Sequence, residues 1–177
     1  MSVIIPTCPT DCTGALPAID TSVCGPGTMW GQVDYIYLAP GDTELTDWSD
    51  LSEWTTKLGD NTIVKFPVIG SKDAPEYQEV ERSGQRYAYG PKKHKLMFRI
   101  DEVNTTNYEF MRYIECNPTL KMWYSAGGYL FGGDPGITAS VKMDLIVPED
   151  YNALATLTGE ATWKAKHSPE MIDNPLD

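Results

Sequence analysis

The cysteines are the residues of this chain best suited to redox or metal chemistry. They are Cys8, Cys12, Cys24 and Cys116. The C-x3-C spacing of the first two would suit zinc, but a zinc site also needs a second close pair, whereas His94 and His167 are each isolated. Free thiols, one disulfide in the N-terminal segment and a metal site stay open, and the absence of a recognisable signal peptide favours free thiols.

Other side chains with catalytic potential lack the spacing that a reaction requires. The chain contains no nucleophile elbow, no phosphate-binding loop and no H-E-x-x-H motif. Asp101 and Glu102 are adjacent in a strand pattern and point to opposite faces, which argues against a catalytic carboxylate pair. Asp134, in the glycine-rich turn 132–136, offers one carboxylate where calcium needs about six to eight oxygens. We predict a protein that is not an enzyme and holds no cofactor or metal.

The elements that would position any functional residue follow a β pattern. Leu96, Phe98 and Ile100 alternate with mostly polar neighbours, and the same period of two runs through 137–147. This period places one face of a strand in a core and the other in solvent. The second segment is long, since most strands have about five or six residues. Long two-faced strands without catalytic residues are typical of proteins that assemble into walls and shells.

Strand-forming residues recur along the remainder of the chain. The further predicted strands cover residues 29–38, 62–69, 120–124, 129–131 and 160–166. In the first of them Val33, Tyr35 and Tyr37 share one side, and in the second Pro67 indicates an edge or a bulge because it cannot donate to a ladder. The predicted fold class is mainly β: a β-sandwich or barrel-like antiparallel sheet with one or two short flanking helices and extended terminal arms.

Two short helices accompany the strands. An acidic N-cap begins the first, over 50–58, and Gly59 is expected to end it in a left-handed conformation. A capping box begins the second, over 106–116. Pro148 predicts one further helical turn, through Leu154.

The composition divides the chain into three parts. Residues 1–28 are rich in proline and glycine and are expected to form an extended N-terminal arm. Residues 29–166 form the β-sandwich domain, and residues 167–177 an extended C-terminal tail. Within the domain, the polar segment 70–91 predicts a long loop or protruding hairpin with its tip near Gly84. Such a long loop in a compact domain commonly serves contact with a partner.

The charge of the chain is strongly acidic. Its 25 Asp and Glu residues oppose 14 Lys and Arg residues, for a net charge of -11 at pH 7. Such a surface repels the phosphate backbone and anionic lipid, which argues against sequence-specific nucleic-acid binding. No apolar run approaches the roughly 20 residues of a membrane span. Residues 1–10 also lack the basic start of a cleavable signal, so export is not expected.

Contacts with other copies of the chain are expected from the arm, the loop and a basic cluster. The candidate interface residues are Ile4, Ile5, Leu16, Glu79, Arg82, Arg86, Lys92, Lys93 and His94. The apolar residues of the arm favour clasping a neighbouring subunit over disorder. The basic cluster that ends in His94 is either a solvated strand start or a contact with an acidic patch on a neighbouring copy.

The elements follow one another in a characteristic order. A strand, a small helix and the long hairpin precede a strand that ends in Arg99-Ile100-Asp101-Glu102, and a helix then leads to returning strands around the glycine-rich turn 132–136. This order, over about residues 29–166, resembles small virion proteins of tailed bacteriophages and is most similar to their tail tube proteins. The resemblance implies a β-sandwich or barrel-like sheet whose arms and long loop clasp adjacent subunits.

The same resemblance implies a function and a location. Copies of the chain would form rings that stack into a conduit for DNA, together with other virion proteins, in a virion assembled in the host cytoplasm. Segment 70–91 would lie between rings. The acidic lumen would repel the phosphate backbone and let DNA slide.

Two alternatives remain open. A capsid-decorating or auxiliary head protein would use the same arms against a preformed shell. A sugar- or peptide-binding β-sandwich would instead present Trp30, Trp48 and Trp123 as a stacking surface.

Overall fold

A computed structural model describes residues 31–82 and 86–177, with the backbone alone between 80 and 89. Within these residues the strands are β1 (Val33–Ala39), β2 (Val64–Lys72), β3 (Glu79–Arg82), β4 (Arg86–Tyr89), β5 (Lys92–Ile100), β6 (Thr119–Ala126), β7 (Tyr129–Phe131), β8 (Ile137–Ile146), β9 (Thr156–Ala165) and β10 (Met171–Asp173). The helices are α1 (Leu51–Gly59) and α2 (Thr105–Cys116). The predicted fold class, mainly β with short helices, is confirmed.

The main sheet closes into a six-stranded antiparallel barrel. Its strands follow the order β1-β2-β5-β9-β8-β6, and β6 pairs back with β1. Of the two architectures that the sequence left open, the barrel is therefore correct. Strands β7 and β10 extend the sheet from β6, so the C-terminal tail contributes a strand instead of lying free. Strands β3 and β4 form a separate hairpin between β2 and β5, as predicted for segment 70–91.

The barrel interior is a packed apolar core. On β8 the predicted alternation is present, with Ile137, Ala139, Val141 and Met143 all buried and their neighbours exposed. The other five strands of the barrel each add inward residues, and side chains fill the interior. Small barrels are filled in this way because their inward rows meet at the axis. Full burial of each large apolar side chain contributes about 1.5–3 kcal/mol.

The inward face of β1 differs from the prediction. The register against both neighbouring strands shifts between Val33 and Tyr35, which marks a β-bulge. Because a bulge moves the following side chains to the opposite face, Ile36 joins Val33 in the barrel core while Tyr37 faces outward. Grouping Val33 with the two tyrosines was wrong. Pro67 lies opposite Tyr35 at this bulge, as its missing donor predicted.

A second core lies on the outer face of β1 and β6, beneath α1. Trp54 of this helix is fully buried and meets Trp123 edge to face, with ring centroids 5.5 Å apart. The indole N–H of Trp123 donates to the Gly133 carbonyl at 2.7 Å. A Cβ added at Gly132 or Gly136 would lie 2.3 or 2.5 Å from that indole, so the turn is glycine-rich because it wraps a buried tryptophan.

The end of the first helix and the start of the second depart in detail from the prediction. Asp50 caps α1 as expected, but Gly59 remains helical and the left-handed residue is Asn61, with φ 56°. Helix α2 begins one residue early because Asn104, not Thr106, accepts the capping hydrogen bond. The helix predicted after Pro148 is wrong: residues 147–155 form an irregular loop with a turn at 151–152.

Helix α2 closes one end of the barrel. Its Met111 and Ile114 are buried in the same cluster as the barrel interior. Phe110 meets Phe66 near the start of β2, with ring centroids 5.6 Å apart. We call this the helix end. Within the described residues, neither helix is long and apolar enough to cross a membrane.

Candidate functional site

The end of the barrel opposite α2 carries a different set of residues. Antiparallel pairing places the last residue of β2, Lys72, opposite Leu96 of β5, and places Lys92 opposite Ala165 at the end of β9. We call this the lysine end. The β3–β4 hairpin leaves the barrel here, between β2 and β5. The two ends of the barrel are therefore chemically unlike.

An aromatic layer fills the barrel interior at the lysine end. His94 stacks on Trp163, with ring centroids 5.1 Å apart and planes 3° from parallel. Tyr124 stacks in the same manner on Phe131, at 4.9 Å, and lies 6.4 Å from Trp163. The side chains come from β5, β9, β6 and β7, so closure of the barrel is what brings them together.

This layer contains buried polar atoms that lack partners. Among the described residues, neither ring nitrogen of His94 makes a hydrogen bond of good geometry, the backbone of Ala165 being a weak partner at most, and Nε1 of Trp163 has no partner. Each buried unpaired polar group costs about 1–3 kcal/mol. Burial lowers the pKa of His94, and the ammonium groups of Lys72 and Lys92 lower it further, with the Ala165 backbone acting in the opposite direction. These surroundings therefore favour the neutral form of the imidazole.

His94 does not lie where its sequence neighbours suggested. The prediction of a surface contact by this residue is wrong, because its side chain is 0% exposed. The period of two that runs through Leu96 and Phe98 extends back to His94 and turns it inward. That period was visible in the sequence, but the three adjacent lysines masked it.

Two cavities flank the aromatic layer. The larger, of about 550 Å³, is lined by the apolar Ile137, Trp163 and Pro169, with Lys121 and Lys164 among its charged residues. The second, of about 500 Å³, adjoins it across the tail at Ser168 and Pro169 and is lined by Tyr124, Phe131 and Lys72 among others. Both have room for an apolar side chain of a partner.

The remaining interface candidates are divided between the hairpin and the strand starts. Glu79 is exposed on β3, and the backbones of Arg82 and Arg86 lie opposite each other next to the hairpin tip. The Lys92 ammonium lies 4.8 Å from the ring centroid of Tyr77, and Lys93 is exposed. The arm candidates Ile4, Ile5 and Leu16 lie outside the described residues. The structure thus places the hairpin and lysine candidates at one end of the barrel.

The residues with potential for metal or sugar binding have other surroundings. In the part of the chain that is described, no three His, Cys, Asp or Glu residues cluster to hold a metal ion. Cys116 is an exposed free thiol, and the N-terminal cysteines lie outside the described residues. The Asp134 carboxylate accepts a hydrogen bond from the backbone N–H of Trp48 at 2.8 Å.

Two of the three tryptophans proposed as a stacking surface for a sugar or peptide do not reach solvent. Trp48 and Trp123 are buried, so the proposed stacking surface is wrong for both. Trp30 lies outside the described residues.

Sequence reasoning missed an exposed apolar segment at the helix end. Residues 147–155, which connect β8 to β9, are called the apolar loop. Within it Val147, Leu154 and Tyr151 are 71%, 76% and 100% exposed. The expected helical turn obscured the signal, which is three large apolar residues without a core to bury them.

The chain thus presents two surfaces suited to contact, at opposite ends of one barrel. One is the lysine end, with its hairpin and cavities, and the other is the apolar loop. Neither assembles a set of catalytic groups within the described residues. Comparisons of the chain with protein-family models, with curated proteins and with solved structures find no match.

Proposed function

We propose that this chain is a non-enzymatic structural subunit that associates with copies of itself, as a tail tube subunit in the virion of a tailed bacteriophage. Rings of copies stack and enclose a conduit for DNA. The observation that carries the proposal is the β3–β4 hairpin, which stands apart from the barrel sheet.

The hairpin has the properties of an assembly element. Within the described residues its strands pair only with each other, and one bridge, between Glu76 and Lys93, ties its base to β5. A two-stranded hairpin alone is marginally stable in water. Its outer edges also carry unpaired backbone groups, which a neighbouring chain can satisfy by strand addition. A surface on another subunit is therefore the expected partner of this hairpin.

The packing of the barrel favours a conduit that lies between several subunits over one that runs through a single barrel. Its interior is filled by packed side chains, so DNA has no path along the barrel axis. A passage must therefore lie at the centre of a ring of copies. The net charge of -11 favours such a passage, because an acidic wall repels the phosphate backbone and DNA slides without binding.

The test is electron microscopy combined with light scattering on three preparations. These are the whole chain, a chain lacking residues 1–28, and a chain in which residues 78–90 are replaced by a two-residue Asn-Gly turn. We expect rings or tubes from the whole chain, and the loss of stacking without the hairpin. Circular dichroism of the third preparation checks that the barrel persists, since the exchange leaves its strands intact.

Other outcomes contradict the proposal and identify the alternatives. A stable monomer in all three preparations excludes a self-assembling tube. Binding only to a preformed capsid shell indicates a decorating or auxiliary head protein. A monomer whose tryptophan fluorescence is quenched by an oligosaccharide or a peptide indicates a binding module.

A further inference from the structure

We propose that the second cavity at the lysine end, of about 500 Å³, is the binding site for the side chain of Trp30 of the same chain. We call it the wall cavity. Residue 30 directly precedes the first described residue, Gly31. Docking of Trp30 would anchor the N-terminal arm to the barrel. This contact goes beyond the proposed function, because it does not require a second copy.

The wall cavity lies at a gap in the barrel wall. Strand β1 begins at Val33, which is paired with Gly70 of β2 on one side and Ala126 of β6 on the other. Strand β2 continues for two residues beyond Gly70, and within the described residues Ser71 and Lys72 pair with β5 but not with β1. Ser71, Lys72 and Ala126 all line the cavity. The cavity is therefore the space that the chain preceding β1 enters.

The floor of the wall cavity belongs to the barrel core. Val33, Tyr124 and Ala126 are members of the buried cluster that fills the interior, and Phe131 packs against that cluster. All four residues line the cavity. Its volume lies within the range of roughly 300–1,000 Å³ typical of ligand pockets, so an indole ring fits. An aromatic side chain docked here extends the core and removes about 150–250 Å² of its own surface from water.

The covalent attachment of Trp30 favours it over any other occupant. Gly31 and Gln32, the first two described residues, themselves line the wall cavity. Consecutive Cα atoms lie about 3.8 Å apart, so the backbone of Trp30 is at the edge of the cavity. A side chain on such a short tether has an effective concentration in about the millimolar range. A free ligand, or a segment of another copy, has to compete with that concentration.

The lining of the wall cavity suits an indole ring. Among the described residues that line it, Lys72 is the only charged one. An ammonium group is attracted to the face of an aromatic ring, and tryptophan is the best partner for this contact. The hydroxyls of Ser71 and Ser168 can accept the hydrogen bond of the indole N–H. Residues 1–30 contain two aspartates and no basic residue, so their charge does not oppose an approach to Lys72.

Docking of Trp30 determines where the arm begins. With Trp30 held in the wall cavity, residues 1–28 leave the barrel at the lysine end. The β3–β4 hairpin leaves the barrel at the same end, between β2 and β5. In the proposed assembly the arm and the hairpin would then reach the same neighbouring subunit, a consequence that rests on the proposed function.

The first test is acrylamide quenching of tryptophan fluorescence in the whole chain and in Trp30→Phe. The other four tryptophans, Trp48, Trp54, Trp123 and Trp163, are buried, so an exposed Trp30 would produce a separate, strongly quenched component. We expect no such component, and the same quenching in both chains. A strongly quenched component that Trp30→Phe removes would overturn the docking.

A matched pair of lysine variants tests the contact with the ammonium group. Lys72→Met is expected to increase the quenching of Trp30, because it removes the charge beside the ring. Lys93→Met is the control, at an exposed lysine that does not line the wall cavity, and should leave the quenching unchanged. Equal quenching of the two variants contradicts a ring held beside Lys72.

A cross-linking measurement locates the docked side chain. A photoreactive phenylalanine at position 30 is expected to cross-link to residues 70–72, 124–126, 131 or 168–169 of its own chain, as mixed isotope-labelled and unlabelled chains report. Cross-links to another copy, or to other parts of the barrel, overturn the docking. An assembled chain with an accessible Trp30 overturns the docking alone. A stable monomer with a protected Trp30 overturns the proposed function alone.

Discussion

Replacement of Gly159 by alanine measures how tightly the barrel interior is filled. A Cβ added at Gly159 would lie 2.2 Å from Cζ and 2.5 Å from Cε2 of Phe98, its neighbour across the β5–β9 pair. Folded proteins essentially never contain Cβ contacts under 3.0 Å. The Phe98 ring is buried and packs against Phe66, with centroids 6.1 Å apart, so it cannot move aside freely. Gly159→Ala therefore forces a displacement within the core.

The size of the effect follows from known overpacking costs. Inserting a methyl group into a packed core costs about 1–3 kcal/mol. For a chain of this size each kcal/mol shifts the Tm by about 2–4 °C, so we expect a fall of about 2–12 °C. Gly59→Ala is the matched control, since nothing lies within 4 Å of a Cβ there and the residue is helical. The control is expected to gain up to about 1 kcal/mol.

Urea and thermal unfolding of both variants provide the assay. Shortening the clashing ring provides a second test: Phe98→Leu is expected to destabilise the parent chain but to offset part of the cost of Gly159→Ala. The two changes should therefore be non-additive by about 0.5–3 kcal/mol. Equal behaviour of the two glycine variants, or strict additivity with Phe98→Leu, would refute a tightly filled interior at this position.

Two further predictions concern the buried imidazole of His94 and the carboxylate of Asp134. Because burial and nearby lysines lower the pKa of folded His94 below its ordinary value of about 6.5, the unfolded chain binds that proton more readily than the folded chain as the pH falls below 6.5. His94 thus makes stability fall toward acid, by at most about 1.4 kcal/mol per pH unit, and His94→Phe should flatten urea-unfolding profiles between pH 6.5 and 5. Asp134→Ala leaves the backbone N–H of Trp48 without its partner and should lower the free energy of unfolding, measured in urea, by about 1–3 kcal/mol. The control Asp42→Ala, at an exposed aspartate, should lower it by about 0.5 kcal/mol or less. An unchanged pH profile, or equal losses at the two aspartates, would contradict these assignments.

The parts of the fold that depend on local pattern could be predicted. The long alternation of β8 gave its buried and exposed faces because side chains in a strand alternate whatever pairs with it. The acid at Asp50 located the start of α1, since N-caps act through adjacent backbone groups. Pro67 marked an irregular place on β2 for the same local reason.

The parts that depend on distant residues could not. Closure of the barrel rests on the pairing of β1 with β6, and no local pattern in either strand specifies that partner. The bulge at Val33–Tyr35 reverses the faces of β1 and is visible only as a register shift against its neighbours. The contact of His94 with Trp163 joins two strands far apart in sequence, so the aromatic layer could not be inferred from either residue alone.

The asymmetry of the barrel links the charge of the chain to its proposed assembly. A uniformly acidic surface would repel every other copy, and self-association would then have to overcome that repulsion at each contact. In this chain Lys72, Lys92 and Lys93 lie at one end of the barrel, so contacts made through that end would meet less of this repulsion than contacts made elsewhere. In the proposed assembly, contacts at that end would cover these lysines, and the surfaces left for a passing nucleic acid would be more acidic than those of the isolated subunit.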